Sequence, residues 1–413
     1  MLRALPIALA LLALGAMHAR ASVEEFSTFS VVNQELDDES LLDHYLTRPP
    51  LMWRDEWEHS ASGLYTSQGC LTSGHWFIDT DLLVRAPMGK KAWFGANLLQ
   101  SQSDISSYQY LDLLFRFPMP VGTFGAMFRP MADKSAQDFS LSWQFGSDTS
   151  AYQLEAIFTF EDIFNNFWAF RQTQVGELSE PYLQRPYEPA LHFTTRHDHW
   201  RADVAGKWLT PSRKSIVHMN TGINDEYHDI WGVLGTGEFE FDVGRTTFGA
   251  RGSNMQAREH DNPLILALPE NLSYRRQWLA EGFVRRPLPV WKGMMVQARY
   301  VYEGRIEFGG PPDQQAILRC DDRMMNLDVT ATLSRTLTAR VGGLFDRIGV
   351  DQSHKSPLWF TWGTRNESRA YLSLIARFGR VSVTGIEGIE LDPEPYPVTF
   401  HHDKGFLQLQ TTF

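Results

Sequence analysis

Cysteine is nearly missing from this sequence: two in 413 residues, Cys70 and Cys320, 250 positions apart. No CxxC or CxxCH occurs, which excludes haem attachment and zinc-ribbon readings. Long hydrophobic runs are scarce too. Only Ala4 to Met17 is continuously apolar, shorter than the ~20 residues a spanning helix needs. Later apolar stretches are broken every few residues by charge or glycine, and the mean hydropathy is −0.29. Positive charge is in deficit, with 38 Lys and Arg against 49 Asp and Glu. That balance argues against nucleic-acid partners, which need basic surfaces. There is no phosphate-binding glycine loop, no GxSxG elbow and no HExxH. No catalytic residue, cofactor site or metal site is therefore nominated, and the chain is not read as an enzyme.

What is present starts with an export signal. Arg3 supplies a positive start, Ala4 to Met17 the apolar core, and Ala19-Arg20-Ala21 a small-x-small site, so residues 1–21 are expected to be removed after Ala21. Without Arg3 and Arg20 the remainder has 36 basic against 49 acidic residues, a net of −13. Much of that is local to an acidic segment, 22–60. There Glu24, Glu25, Glu35, Asp37, Asp38, Glu39, Asp43, Asp55, Glu56 and Glu58 meet only Arg48 and Arg54. Its charge density suits a solvated tether, with a short helix stopped at Pro49-Pro50, or a plug, as the other readings.

From Gly74 onward one pattern recurs: about ten residues of period-two alternation, then a break. Trp76, Ile78, Thr80, Leu82 and Val84 alternate with Phe77, Asp79, Asp81, Leu83 and Arg85. Leu111, Leu113, Phe115 and Phe117 alternate with Asp112, Leu114 and Arg116, and Phe139, Leu141, Trp143 and Phe145 with Ser140, Ser142 and Gln144. The same rhythm runs through Tyr152–Phe160, Trp200–Trp208, Trp231–Phe241, Val296–Tyr302, Met325–Ala331 and Ala370–Phe378. The breaks alternate in length. Short ones such as Pro118 to Gly122, Asp242 to Gly244 and Gly379-Arg380 are separated by long ones: Glu161 to Pro189, Leu209 to Asp229, Ser253 to Asn271, Gly304 to Asp322, Ile348 to Asn366 and Asp392 to Asp403.

The last segment carries the most specific signal. Leu407, Leu409, Thr411 and Phe413 alternate with Gln408, Gln410 and Thr412, ending on the aromatic. In its leader, repeat and terminal strand, and so over nearly its whole length, the chain resembles bacterial outer-membrane β-barrel proteins. The resemblance is to an architectural class and no single family. It implies an all-β transmembrane antiparallel barrel of about 16–18 strands over residues 61–413, with short periplasmic turns and long extracellular loops. Eighteen strands result if one lies near Gly63 to Leu71. It also implies an outer membrane of Gram-negative type, lipid as partner, and a terminal strand read by the barrel-insertion machinery. A secreted two-sheet sandwich would alternate in the same way. The size and the girdle of Trp76, Trp93, Trp143, Trp200, Trp208 and Trp231 favour the barrel.

A charge on the lipid side costs ~2–4 kcal/mol at mid-membrane for Arg or Lys, so the alternating charges must line the interior. The candidate lumen-lining residues are Asp79, Asp81, Arg85, Asp112, Arg116, Glu155, Arg201, Asp203, Lys207, Glu238, Glu240, Arg299, Glu303, Asp328, Arg340 and Arg377. Glu281, Asp346, Arg245, Arg251 and Arg285 belong to the same faces. Opposed charges across a pore and salt bridges bracing a wall are both open readings. The expected function is passive diffusion of small hydrophilic solutes, because a barrel of this size leaves an aqueous lumen. The alternatives are a non-conducting sleeve or export component for a partner, and a barrel hydrolase whose residues come from separate strands. A homo-oligomer is compatible with either of the first two. Glu161 to Pro189, with Phe164, Phe167, Trp168, Phe170, Tyr182 and Tyr187, is the candidate constriction loop. Cys70 and Cys320 both map near the outer mouth, where a disulfide could tie it. His228-Asp229, His260-Asp261 and His402-Asp403 fall in outer loops without the fixed ligand spacing of a metal site.

Overall fold

The computed structural model describes residues 63–71, 76–88, 92–103, 107–128, 137–146, 150–161, 178–179, 183–184, 187–218, 223–263, 271–291, 293–309, 316–353, 364–391 and 402–412, all within one compact unit, Leu41–Phe413. The expected signal (1–21), the acidic segment (22–60) and Phe413 lie outside the described residues. Every regular element among them is a strand. The first seven are β1 (Gly63–Leu71), β2 (Trp76–Pro87), β3 (Trp93–Ser103), β4 (Ser107–Met119), β5 (Gly122–Phe128), β6 (Gln137–Phe145) and β7 (Tyr152–Glu161). Two short pieces follow, β8 (Leu178–Ser179) and β9 (Leu183–Gln184), then β10 (Tyr187–Arg196), β11 (Trp200–His218), β12 (Ile223–Val243), β13 (Thr246–Pro263) and β14 (Asn271–Pro287). The last six are β15 (Met295–Gly309), β16 (Ala316–Thr332), β17 (Leu337–Ser353), β18 (Thr364–Phe378), β19 (Val381–Glu390) and β20 (His402–Thr412).

Apart from β8 and β9, which pair with β11, each strand pairs antiparallel with its sequence neighbour, and β7 pairs with β10 past the two short pieces. β1 pairs with β2 on one side and with β20 on the other, in register from Gly63↔Thr412 to Leu71↔Lys404. The sheet therefore closes on itself. Of its twenty strands, β8 and β9 have two residues each, and the other eighteen form the ring. A closed ring leaves no unpaired edge, the condition for a sheet in lipid.

Alternation sets the two faces. Leu191, Val204, Leu327 and Val341 are 50–58 % exposed, whereas Thr194, Ala205, Asp328 and Arg340 one to three positions away are 8 % or less. In the part of each strand nearer the tight hairpins the exposed set is mostly apolar, and on the outside it forms aromatic ladders: Phe158, Phe160 and Tyr187 in one group, Trp200, Phe239, Phe241 and Phe248 in another. An apolar exterior of this extent fits hydrocarbon rather than water.

The hairpins at one end are tight. β12–β13 and β18–β19 are joined at Gly244 and Gly379, with φ of 62° and 64°. Two-residue turns that follow the twist of the strands need positive φ, where glycine is unstrained. At the other end the structure corrects the sequence reading. Three of the expected long loops are largely strand and a fourth is strand at both ends: β11 continues to His218, β12 starts at Ile223, β13 runs to Pro263, β15 to Gly309, β16 starts at Ala316, β17 reaches Ser353 and β18 starts at Thr364. The reason is physical. An outward position must be apolar only where it meets lipid, so the hydrophobic alternation stops there while the backbone pairing goes on. At Thr210–Pro211 the β11–β12 register shifts by a bulge, as a proline that cannot donate to the ladder requires.

Candidate functional site

The ring turns one continuous face inward, and the register fixes which residues share it. On β2, β3 and β4 the inward row is Leu83, Asn97 and Asp112, all fully buried. Beside it Leu114 and Met127 pack with Leu83 and Trp93, and the Arg85 guanidinium lies 4.3 Å over the Trp93 ring. Arg116 donates to Gln144, and the buried Ser140 and Thr159 hydroxyls meet at 2.9 Å. Arg85, Arg116 and the buried Asp112 and Glu155 are the charged members of this arc, beside its apolar cluster and small polar groups.

From β10 onward ion pairs take over. Lys207 Nζ lies 2.8 Å from Glu188 Oε2, both side chains 1 % exposed. Three carboxylates are each bracketed by two guanidinium groups. Glu240 is reached by Arg201 at 2.8 Å and Arg285 at 3.3 Å. Glu281 is shared by Arg251 and by Arg299, the latter at 2.9 Å. Glu307 is shared by Arg275 and Arg305. Arg201 also touches Glu238 at 3.1 Å, and Gln277 donates to Glu303 at 2.6 Å. On β16 and β17 Arg340 donates to Asp328 at 2.7 Å and lies over Tyr371, whose hydroxyl accepts from Asn326 at 3.0 Å. Pairing offsets part of the penalty the charges incur on leaving water, and each shared carboxylate is held from two sides.

The expected lumen residues fall on this one face. Arg85, Asp112, Arg116, Glu155, Arg201, Asp203, Lys207, Glu238, Glu240, Arg299, Glu303, Asp328, Arg340 and Arg377 all belong to the inward rows. Asp79 and Asp81 occupy inward register positions on β2, opposite Ser67 and Tyr65; the side chains of both lie outside the described residues. By position round the ring, β2 and β4 sit nine strands from β13 and β15, so Asp112 and the register positions of Asp79 and Asp81 lie across from the arginine-rich arc. Glu188, Arg275, Arg305 and Glu307 join the face without having been singled out. Glu188, Arg305 and Glu307 sit in stretches read as loops, where continuing the same period-two count would have found them.

His192, Thr194 and Asp203 come together on β10 and β11. Asp203 holds His192 Nε2 at 2.9 Å and accepts from the Thr194 hydroxyl at 2.8 Å. A hydroxyl–histidine–acid relay needs the acid and the nucleophile on opposite ring nitrogens. Here both contacts of the trio converge on Nε2, with the Thr194 hydroxyl 3.3 Å away. The trio is built to fix the ring, and the hydroxyl's proton points to the carboxylate.

Two sequence expectations are corrected, the disulfide and the loop placement of the His-Asp pairs. Cys70 lies on β1 and Cys320 on β16, five strands apart round the ring. Strands are ~4.8 Å apart, and a disulfide requires Cα atoms within ~7 Å, so the two cannot pair within one chain. The described parts of the candidate constriction loop add to the wall. β8 and β9 pair with the upper end of β11, and Tyr187 packs on Phe158 and Phe160 of the outer face. Phe164, Phe167, Trp168, Phe170 and Tyr182 lie outside the described residues. The His-Asp pairs are strand residues, with His228 opposite Asp261, Asp229 opposite His260, and His402 opening β20. Among the described residues no cluster of metal-ligating side chains occurs.

No protein-family model matches the sequence, and no curated protein matches it. Solved structures similar to it are bacterial outer-membrane proteins. CdiB from Acinetobacter baumannii has a TM-score of 0.42 at 10% identity, covering 85% of this chain and 60% of that one. OccK2 (OpdF) of Pseudomonas aeruginosa has 0.41 at 9% identity, covering 86% and 97%. A bacterial polysaccharide outer membrane secretin has 0.38 at 11%, covering 86% and 99%. The chain spans well under two thirds of the length of CdiB.

Proposed function

We propose that this barrel spans the outer membrane of a Gram-negative bacterium and lets small hydrophilic solutes cross passively. One observation carries the reading: eighteen strands close into a ring whose outer face is apolar and whose inner face is polar and charged. Rings of 16–18 strands enclose an aqueous passage when side chains alone line them. Acids on β2 and β4 across from arginines on β13–β15 would set a transverse field in that passage. Under the same reading the leader is cleaved after Ala21, and Leu407, Leu409, Thr411 and Phe413 form the signal for the insertion machinery.

Planar-bilayer recording of the purified, detergent-folded barrel tests the reading. Steady unitary conductance, with a selectivity that shifts towards anions in Glu281→Gln, is the expected result. A verified folded barrel that conducts nothing would overturn it. A second reading is a sleeve or export component, favoured by the three carboxylates that each tie two arginines to the wall. Silence in the bilayer together with a co-purifying partner would establish that role instead.

A further inference from the structure

The outer face is not uniform at its upper edge, the end away from the tight hairpins. On β16 the outward residues rising from the turn are Val329, Leu327 and Met325, then Arg323, Asp321 and Arg319. On β17 they are Val341 and Phe345, then Arg347. On β14 Trp278 is followed by Arg276. The arginines are exposed, on the same face as the lipid-facing apolar residues and above Met325, Phe345 and Trp278 on their own strands; on β15 the outward row stays apolar through Ile306, and Phe308 stacks on Tyr274 above Arg276.

Arg323 and Arg347 stand directly opposite in the β16–β17 register. Such pairs have Cβ atoms ~5 Å apart, and like charges placed so repel. Asp321 offsets part of this by accepting from Arg323 at 2.7 Å. Arg347 has no ion pair among the described residues. Arg319 has Asp351 opposite it and is left outside the core of the site. Two guanidiniums are further oriented by rings: Arg323 over Tyr302 and Arg276 over Trp278, at 5.8 and 5.7 Å.

We propose that the outward face of β16 and β17, centred on Arg323 and Arg347 with Arg276 at its flank, docks phosphomonoester headgroups of lipids in the outer leaflet. Opposed guanidiniums present several N–H donors to a tetrahedral dianion, the geometry in which arginine binds phosphate most strongly. The apolar belt immediately below would take the acyl chains of the same molecule, so the two parts of one lipid meet the two chemistries of one wall. The inference rests on the membrane-spanning reading and on this end facing outward.

The test is native mass spectrometry of the full-length, detergent-folded protein and of Arg323→Gln/Arg347→Gln. Each is titrated with a phosphorylated glycolipid, with the same lipid after phosphatase treatment, and with inorganic phosphate. A heat-modifiable gel shift checks that both proteins are folded. Expected is at least ~10-fold weaker retention of the phosphorylated lipid by the double variant, with weak and equal retention of the dephosphorylated lipid by both. Removing one outward positive charge elsewhere by Arg213→Gln, on β11, should leave retention unaltered. Equal retention by wild type and double variant overturns the proposal. So does indifference of the wild type to the phosphate groups, or inorganic phosphate bound as tightly as the lipid, which would mark a soluble-anion site. A barrel that stays dispersed without detergent would instead sink the membrane reading itself.

Discussion

From β2 to β7 the strands are 7 to 13 residues long, and from β11 to β17 they are 15 to 21. At ~3.3 Å per residue, β5 is about as long as the ~25 Å apolar band of a membrane barrel is tall. β12 at the same rise is about 70 Å along its own path, and even tilted it stands far above that band. The two arcs also differ in the contacts described for them. The short arc has Ser140–Thr159, Arg116–Gln144 and the Leu83–Leu114–Met127 cluster beside the charged Arg85, Asp112 and Glu155; the tall arc has Lys207–Glu188, three Arg–Glu–Arg groups and Arg340–Asp328. On β11 to β17 these ion pairs lie in the half of each strand nearer the tight hairpins, and only Arg275, Arg305 and Glu307 stand in the far half. Directional charged contacts there tie the feet of the long hairpins together.

The largest test of this contrast is Lys207→Met. It leaves the Glu188 carboxylate buried beside an apolar chain, and losing one partner of a buried pair costs ~3–5 kcal/mol. Unfolding of the detergent-folded barrel in urea should lose stability on that scale, and a loss under about 1 kcal/mol would mean the pair does not brace the wall. Next is Gly342→Val. A Cβ at Gly342 would run into the Tyr371 ring that lies across it, and overpacking of this kind costs ~1–3 kcal/mol. An unchanged urea midpoint would show that the ring is free to move away. On the short arc, Ser140→Ala removes one buried hydroxyl contact and should cost ~0.5–1.5 kcal/mol. A cost equal to that of Lys207→Met would erase the difference between the arcs. The smallest effect is expected from Arg213→Ala. Its two contacts to Asp229, at 2.7 and 3.0 Å, lie outside on a half-exposed pair, worth ~0–1 kcal/mol and screened by salt. Sensitivity of its midpoint to ionic strength would check this.

How far the sequence could be read follows the same division. Where wall meets lipid, an outward apolar residue at every second position is compulsory, so Tyr152 to Phe160 and Met325 to Ala331 are legible, and with them the inward Glu155 and Asp328. Above the lipid the compulsion ends. His228, Asp229, His260 and Asp261 carry charge or polarity on both faces of paired strands, a pattern that composition alone assigns to loops. The partners in the ion pairs were hidden for another reason. Arg299 and Glu281 are neighbours only through a register set by hairpin lengths many residues away. The cysteines failed on the same account, since two positions at one height can be five strands apart.

The seam between β1 and β20 has a kinetic consequence. Gly63 and Thr412 are hydrogen-bonding neighbours at nearly the greatest sequence separation the described residues allow. Contacts that distant form slowly, because loop entropy must be lost before they return anything. The first strand made therefore has to wait, one flank bare, until the last arrives. During that interval both margins of the growing sheet are adhesive templates for stray strands, so a chaperone that shields Gly63–Leu71 would govern yield more than any contact within the finished wall.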